Sequence, residues 1–272
     1  MLLSRRSALA YGPALSAFVA NGLPSTALGA VRAAAVPAAP PDGDWQGVQS
    51  LVIHAGQADG VPHFTILSIP GSDTPLAAFA SLSEDDYRGA LETYSLRGYG
   101  PLRVNAFQTR QGLRYAAIWQ FGRSTPSRVR YDMTEADFRD AAKRFRAQGY
   151  ALTHIDGCDT DKGARFAAIW EKTDAPEQTL HIGLTAAQFK RQRALLTSQG
   201  LGVQRMAGYS SGGSARFAAL FAPVQTEAQH AIPAAKFRAR SAEMRAGGYR
   251  LTDASGYVAG RQAFVAAVWE KS

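Results

Sequence analysis

A short motif recurs four times along the chain and limits the folds that the chain can adopt. Successive copies are offset by 51, 51 and 48 residues, and they span Arg114 to Trp119, Arg165 to Trp170, Arg216 to Phe221 and Val265 to Trp269. A glycine precedes each closing aromatic residue by 21 positions, at Gly98, Gly149, Gly200 and Gly248. An aromatic residue precedes each glycine by 11 positions, at Tyr87, Phe138, Phe189 and Phe237. Because three markers recur in phase, we interpret the chain as an array of similar units.

The repeat frame divides the chain into one half unit and four full units. Subtracting 51 from Gly98 and from Tyr115 leads to Gly47 and Phe64, but the residues upstream of Gly47 are rich in proline. We therefore place one repeat domain at residues 47–272. Its half unit is 47–75, and its full units are 76–126, 127–177, 178–226 and 227–272.

Each full unit is expected to begin with a short strand and a helix. Ser83, Thr134 and Thr185 are predicted N-caps, because Asp or Gln stands three residues after each of them, as in a capping box. In the fourth unit Pro233 takes this place, which the first turn of a helix accepts. Apolar residues at i, i+3, i+4 and i+7 predict a one-sided helix, which ends at the phased glycine.

Two β-rich runs follow each helix and predict a hairpin. In the second unit these runs are 150–155 and 165–170, with residues 157–163 as the expected turn. Alternate residues of the run Tyr115 to Trp119 are apolar on both faces, so we expect the strand to be covered on both sides. The predicted fold class is α+β, with tandem β-α-β-β repeats of about 51 residues in which antiparallel hairpins pack with one helix per repeat.

The recurring motifs resemble the bacterial tandem repeat found in polyglycine hydrolases. The resemblance rests on Gly-Tyr before an apolar strand, on a turn such as Ser255-Gly256-Tyr257, and on the motif Arg-Tyr/Phe-Ala-Ala-Ile-Trp. In those hydrolases such repeats form a non-catalytic N-terminal region, and a serine hydrolase domain with a Ser-x-x-Lys motif follows it. The resemblance therefore implies a non-catalytic role for the repeats of this chain. Here no serine stands three residues before any lysine, and the last repeat ends close to Ser272. We therefore expect the repeat region without the enzyme.

The first thirty residues have the form of an export signal. Arg5 and Arg6 stand directly before a mildly apolar run, and Ser4 to Leu9 resembles a twin-arginine signal. The run is too weakly apolar for a stable membrane span. We predict a twin-arginine signal peptide at residues 1–30, a Pro/Ala-rich linker at 31–46, and a periplasmic or secreted mature protein.

Cysteine content and charge exclude several classes of function. The lone Cys158 excludes an intramolecular disulfide and a multi-cysteine zinc site. Thirty Lys and Arg against 22 Asp and Glu give +8, which becomes +6 once Arg5 and Arg6 are removed with the signal. We assign the arginines mainly to solvated helix faces. No nucleic-acid motif accompanies them, so we expect no nucleic-acid partner.

Three groups of residues have types and spacings that could form a catalytic or metal site. Cys158 could act as a nucleophile with His154 as its base. A calcium loop could form at Asp156, Asp159 and Asp161, and a metal pair could form at His54 and His63 across a hairpin. All three patterns have simpler structural interpretations. We expect no catalytic residue, no cofactor and no metal.

The aromatic residues Phe107, Tyr209 and Tyr257 are the weak candidates for a binding surface. They occupy equivalent positions in three units, and the alternative is that they seal one repeat against the next. The expected function is an exported, non-catalytic repeat protein that binds a protein, peptide or cell-wall polymer. The alternative is an extracellular peptide hydrolase, or a stand-alone accessory subunit of a serine hydrolase.

Overall fold

A computed structural model describes residues 48–58, 61–70, 76–109, 112–174, 177–260 and 262–271, with the backbone alone for 48–70. The helices are α1 (Glu84–Leu96), α2 (Glu135–Ala147), α3 (Ala186–Ser198) and α4 (Phe237–Ala246). The strands are β1 (Val48–Ala58), β2 (Val61–Pro70), β3 (Leu76–Leu82), β4 (Tyr99–Thr109), β5 (Gly112–Phe121), β6 (Ser127–Met133), β7 (Tyr150–Thr160), β8 (Gly163–Lys172), β9 (Thr179–Leu184), β10 (Gly202–Ser211), β11 (Ser214–Ala222), β12 (Thr226–Pro233), β13 (Tyr249–Ala259) and β14 (Gln262–Lys271).

Each full repeat forms one three-stranded antiparallel sheet and one helix. The strand orders are β3-β5-β4, β6-β8-β7, β9-β11-β10 and β12-β14-β13, so the strand with the Ala-Ala motif lies at the centre. The strands β1 and β2 form a separate antiparallel hairpin. The order β-α-β-β and the α+β fold class are thereby confirmed.

The helix ends follow the local signals in the sequence. Thr134 and Thr185 accept hydrogen bonds from Asp137 N and Gln188 N and complete capping boxes, and Ser83 accepts from Asp86 N. The four phased glycines have φ between 75° and 84° directly after the helices. The fourth unit differs because Pro233 supplies no side-chain oxygen: the helix begins with a 3-10 turn at Ala234–Lys236, and α4 has 10 residues where the others have 13.

Sheets and helices alternate, so each central strand is covered on both faces. In the second repeat Phe166, Ala168 and Trp170 pack with Phe138 of α2, while Ala167 and Ile169 pack with the core of the first repeat. The same core that holds α2 includes Ala218 and Leu220 of the third sheet. The alanine pairs let helix and sheet approach closely on both sides, as the sequence predicts.

The array closes into a ring. We call β4, β7, β10 and β13 the inner strands; each is the edge strand of its sheet that follows the helix. Each inner strand lies next to the inner strand of the neighbouring repeat, in the order β4, β7, β10 and β13. The hairpin strand β1 lies next to both β13 and β4, so it closes the circle between the last and the first full repeat. Five similar strands therefore surround one axis, as in the radial arrangement of a propeller.

The predicted hairpin turns were placed too early. The strand β7 continues to Thr160 and β8 begins at Gly163, so Gly157 lies within β7. Likewise, Ser255-Gly256-Tyr257 lies within β13. A glycine inside a strand marks a close approach of another group here, and not a turn. Among the described residues no helix has the length and hydrophobicity for a membrane crossing. The predicted signal with Arg5 and Arg6, and the linker, lie outside the described residues.

Candidate functional site

The inner strands are sheet edges, and side chains from the next repeat satisfy their backbone groups. The His154 Nε2 lies 2.7 Å from Val104 O, and Asp156 Oδ2 accepts from Ala106 N at 2.9 Å. Arg205 Nε donates to Thr153 O at 2.8 Å, and Asp253 Oδ2 accepts from Met206 N at 2.9 Å. His154, Arg205 and Asp253 occupy equivalent positions in successive repeats, and Asp156 lies two residues after that position. They therefore cap the free edges that would otherwise invite pairing with another chain.

The aromatic candidates lie between repeats. Phe107, Tyr209 and Tyr257 are only 2%, 2% and 4% exposed. The Tyr209 ring lies over Gly157, where a Cβ would be 3.0 Å from it, and the Tyr257 ring lies over Gly208, where a Cβ would be 2.4 Å away. With Cys158 these residues line a cavity of about 200 Å³ at the end of the ring where the hairpin turns lie. The structure thus brings the three candidates together, but it leaves little of their rings accessible.

Cys158 and His154 are not arranged as a nucleophile and its base. Both lie on β7, four residues apart, which separates them by roughly 13 Å along an extended strand. Burial raises the pKa of the Cys158 thiol well above its usual value, and Asp156 and Asp132 add to this shift. Burial lowers the pKa of His154, so its neutral ring donates to Val104 O. Both side chains are part of the contact between the first and second repeats.

The expected acidic loop is not one loop. Asp156 is buried within β7, whereas only Asp161 lies in the two-residue turn at 161–162. Burial raises the pKa of Asp156 to about 7, although hydrogen bonds from Ala106 N and the Asn105 side chain oppose this shift. Sequence reasoning missed its role because the hairpin was placed too early.

The proposed histidine pair is not directly opposed. The backbone register pairs His54 with Thr65 and His63 with Gly56, two positions apart. The side chains of these residues lie outside the described part of the chain. Where side chains are described, no group of three metal-ligating residues occurs.

At the opposite end of the ring the inner strands begin around a larger cavity, of about 550 Å³, which we call the arginine cavity. Its lining includes Arg103 on β4, Arg205 on β10, Arg250 on β13, Arg123 after β5, and Glu270 on β14. Arg123 forms a bidentate ion pair with Glu171, with two N···O distances of 2.6 Å. Arg250 pairs with Glu270 at 3.0 Å.

Arg103 and Arg205 have no ion pair with a carboxylate among the described residues. Arg103 is 7% exposed and donates only to backbone carbonyls, at Leu102 and Thr252, while its buried Nε has no hydrogen-bond partner. Burial and the nearby Arg205 lower the pKa of Arg103 to about 10, so the guanidinium remains charged at neutral pH. A buried cation without a carboxylate partner is costly, so the cavity retains attraction for an anion.

Sequence reasoning missed the arginine cavity because it assigned the arginines mainly to helices. Arg103 and Arg205 lie on inner strands, at the position that His154 and Asp253 occupy in the other repeats. A signal was available in the repeat frame. This position carries a polar or charged residue in all four full units, directly before the apolar stretch of the strand.

Comparison with known proteins agrees with the repeat frame. The model of the polyglycine hydrolase-like structural repeat matches residues 74–121, 124–173, 175–224 and 223–272. No curated protein matches the chain in sequence. The four matches cover most of the chain and coincide with the four sheet-and-helix units. The chain therefore belongs to the family of polyglycine hydrolase-like structural repeats.

Proposed function

We propose that this protein is an exported, non-catalytic binding module that holds a protein, peptide or cell-wall partner at the arginine cavity. The observation that carries the proposal is the pair Arg103 and Arg205, which face a cavity of about 550 Å³ without a carboxylate partner among the described residues. A cavity of this size lies within the usual range for ligand sites, roughly 300–1,000 Å³. Cys158 and His154, the candidate catalytic pair, instead join two repeats.

A binding screen with a parallel activity assay tests this proposal. The purified chain is titrated with peptides and soluble cell-wall fragments, and it is incubated with peptide and ester substrates. We expect saturable binding to one class and no turnover. Turnover that disappears in Cys158→Ser, while circular dichroism shows an unchanged fold, would establish the hydrolase alternative and refute the binding function.

An accessory role for a serine hydrolase is a second form of the same proposal. The family is named after polyglycine hydrolases, and a module without its own nucleophile would supply binding to a separate enzyme. A neighbouring gene for a serine hydrolase without repeats, and faster hydrolysis when the two purified proteins are combined, would support this role. Hydrolysis at an unchanged rate would contradict it.

Export is tested independently of binding. Replacing Arg5 and Arg6 together by lysine should leave the protein in the cytoplasm, because a twin-arginine signal depends on that pair. Cell fractionation followed by immunodetection measures the outcome. Arg32→Lys, which lies just after the predicted signal at residues 1–30, is the matched control and should be exported normally. Normal export of the double-lysine variant would refute the twin-arginine assignment.

A further inference from the structure

We propose that the arginine cavity binds a single carboxylate group of a peptide-like partner, such as a free chain end, with Arg103 and Arg205 as its ligands. This inference rests on the proposed binding function and specifies the chemistry of the partner. Guanidinium groups suit carboxylates because they present parallel N–H donors in a planar fork.

The placement of the two arginines favours a bound ligand over a structural role. Arg103 lies on β4 of the first full repeat, and Arg205 lies on β10 of the third, so the cavity is lined by arginines from repeats that are not neighbours. Each guanidinium group donates a hydrogen bond to a backbone carbonyl of another repeat: Arg103 to Thr252 O at 3.4 Å, and Arg205 to Thr153 O at 2.8 Å. These bonds fix the guanidinium planes without neutralising their charge. Sites for charged ligands benefit from such fixed donors.

The buried Nε of Arg103 is a second, independent observation. It lies in a side chain that is 7% exposed, and it has no hydrogen-bond partner. Buried donors in folded proteins are almost always satisfied, so an orphaned one beside a cavity indicates a missing acceptor. Arg103 thus has fewer partners than it has donors, and an anion in the cavity that it lines would offset its charge.

The charge around the cavity favours one carboxylate over a phosphate. The lining contains four guanidinium groups, of Arg103, Arg123, Arg205 and Arg250. Three carboxylates oppose them: Glu270 in the lining, Glu171 on Arg123, and Asp253, whose charge acts on Arg103. The remaining single positive charge matches a monoanion, whereas a phosphate dianion would remain uncompensated.

Titration with a blocked dipeptide tests the proposal. The probe is N-acetyl-Ala-Ala with a free carboxylate, and its C-terminal amide and inorganic phosphate are the comparison ligands. We expect the full chain to bind the free acid, with NMR shifts confined to the arginine cavity, and to bind the amide at least tenfold more weakly. Loss of one charge-assisted hydrogen bond corresponds to a change of about tenfold or more in affinity.

Two variants change the site in opposite directions. Arg205→Gln should weaken binding of the free acid about tenfold or more, whereas Arg191→Gln, on the exposed face of α3, is the matched control and should bind normally. Glu270→Gln removes a carboxylate from the lining and frees Arg250, so binding should tighten about threefold. Because this last variant predicts a gain, loss of folding cannot imitate the result.

Each outcome decides the proposal. Tighter binding of phosphate than of the free acid, or equal binding of acid and amide, would overturn the carboxylate assignment. Absence of binding by every anion would overturn the anion site. The proposed function would still stand if the peptide and cell-wall screen finds a partner whose binding Arg205→Gln weakens, because that partner would then be held at the arginine cavity by other chemistry. A partner that binds Arg205→Gln as tightly as the unchanged chain would refute the proposed function as well.

Discussion

Replacing Gly208 by alanine should weaken the contact between the third and fourth repeats. A Cβ at this position would lie 2.4 Å from Cδ1 and 2.6 Å from Cε1 of Tyr257, closer than carbon atoms approach each other. The ring has little freedom to move, because it packs against Phe217 and Phe264 and its hydroxyl is bonded to the backbone of Ala231. Since overpacking costs typically 1–3 kcal/mol, we expect the free energy of unfolding to fall by about 2–3 kcal/mol.

The first two repeats indicate which second change would compensate. There Ala106 takes the place of Gly208, and Cys158 takes the place of Tyr257. An alanine in place of the glycine is thus accompanied by a side chain much smaller than tyrosine on the facing strand. Tyr257→Cys alone removes a buried ring and should cost about 3–5 kcal/mol. In the double variant the alanine methyl fills part of the space that the ring leaves. The two effects should therefore combine to less than their sum, with a coupling energy of about 1–3 kcal/mol.

Urea unfolding followed by tryptophan fluorescence measures all three variants. Gly89→Ala is the matched control, because Gly89 lies on the exposed face of α1 with nothing within 4 Å of an added Cβ. This control should gain about 0.5–1 kcal/mol from helix propensity. If the double variant equals the sum of the single variants to within about 0.5 kcal/mol, the two residues are independent and the packing explanation is refuted.

Two further predictions follow from the core and the ring. Because burial raises the pKa of Asp156 to about 7, the folded chain binds more protons than the unfolded chain between about pH 4 and pH 7, and the contribution of Asp156 to stability falls as the pH rises through this range. Denaturant titrations of the unchanged chain and of Asp156→Asn measure this effect. Between pH 5 and pH 7.5 the free energy of unfolding of the unchanged chain should fall by up to about 3 kcal/mol relative to that of the variant. If the difference between the two free energies does not change with pH, the prediction is wrong. Deleting residues 127–177 should lower the urea midpoint and broaden the transition, because the inner strands no longer close a circle, whereas an open array would retain a sharp transition.

Local structure was largely predictable from the sequence. The capping residues Thr134 and Thr185, the phased glycines and the two apolar faces of the central strands each reflect chemistry within one repeat or between adjacent layers. These signals recur in every unit, so the repeat frame amplified them. The family resemblance rested on the same recurring residues.

Features that depend on how one repeat is rotated against the next were not predictable. The rotation follows from the fit of Tyr209 over Gly157 and of Tyr257 over Gly208. The sequence alone instead predicts a turn at Gly157. The arginine cavity exists only once the ring closes, because Arg103 and Arg205 come from separate repeats. The residues at the position of Arg103 and Arg205 also differ in type from unit to unit, so the repeat frame marks the position only as polar or charged.

Closure through β1 has a consequence for how such a protein can evolve. Gene duplication can lengthen an open solenoid one unit at a time, since each unit contacts only its neighbours. Here the hairpin β1–β2 joins the last full repeat to the first, so five inner strands complete the turn and a further unit would have no place. Selection can therefore act on the sequence of each unit but not on their number. One position on the inner strands already differs between units of this chain: it is His154, Arg205 and Asp253 in three successive repeats, while the surrounding motif is retained.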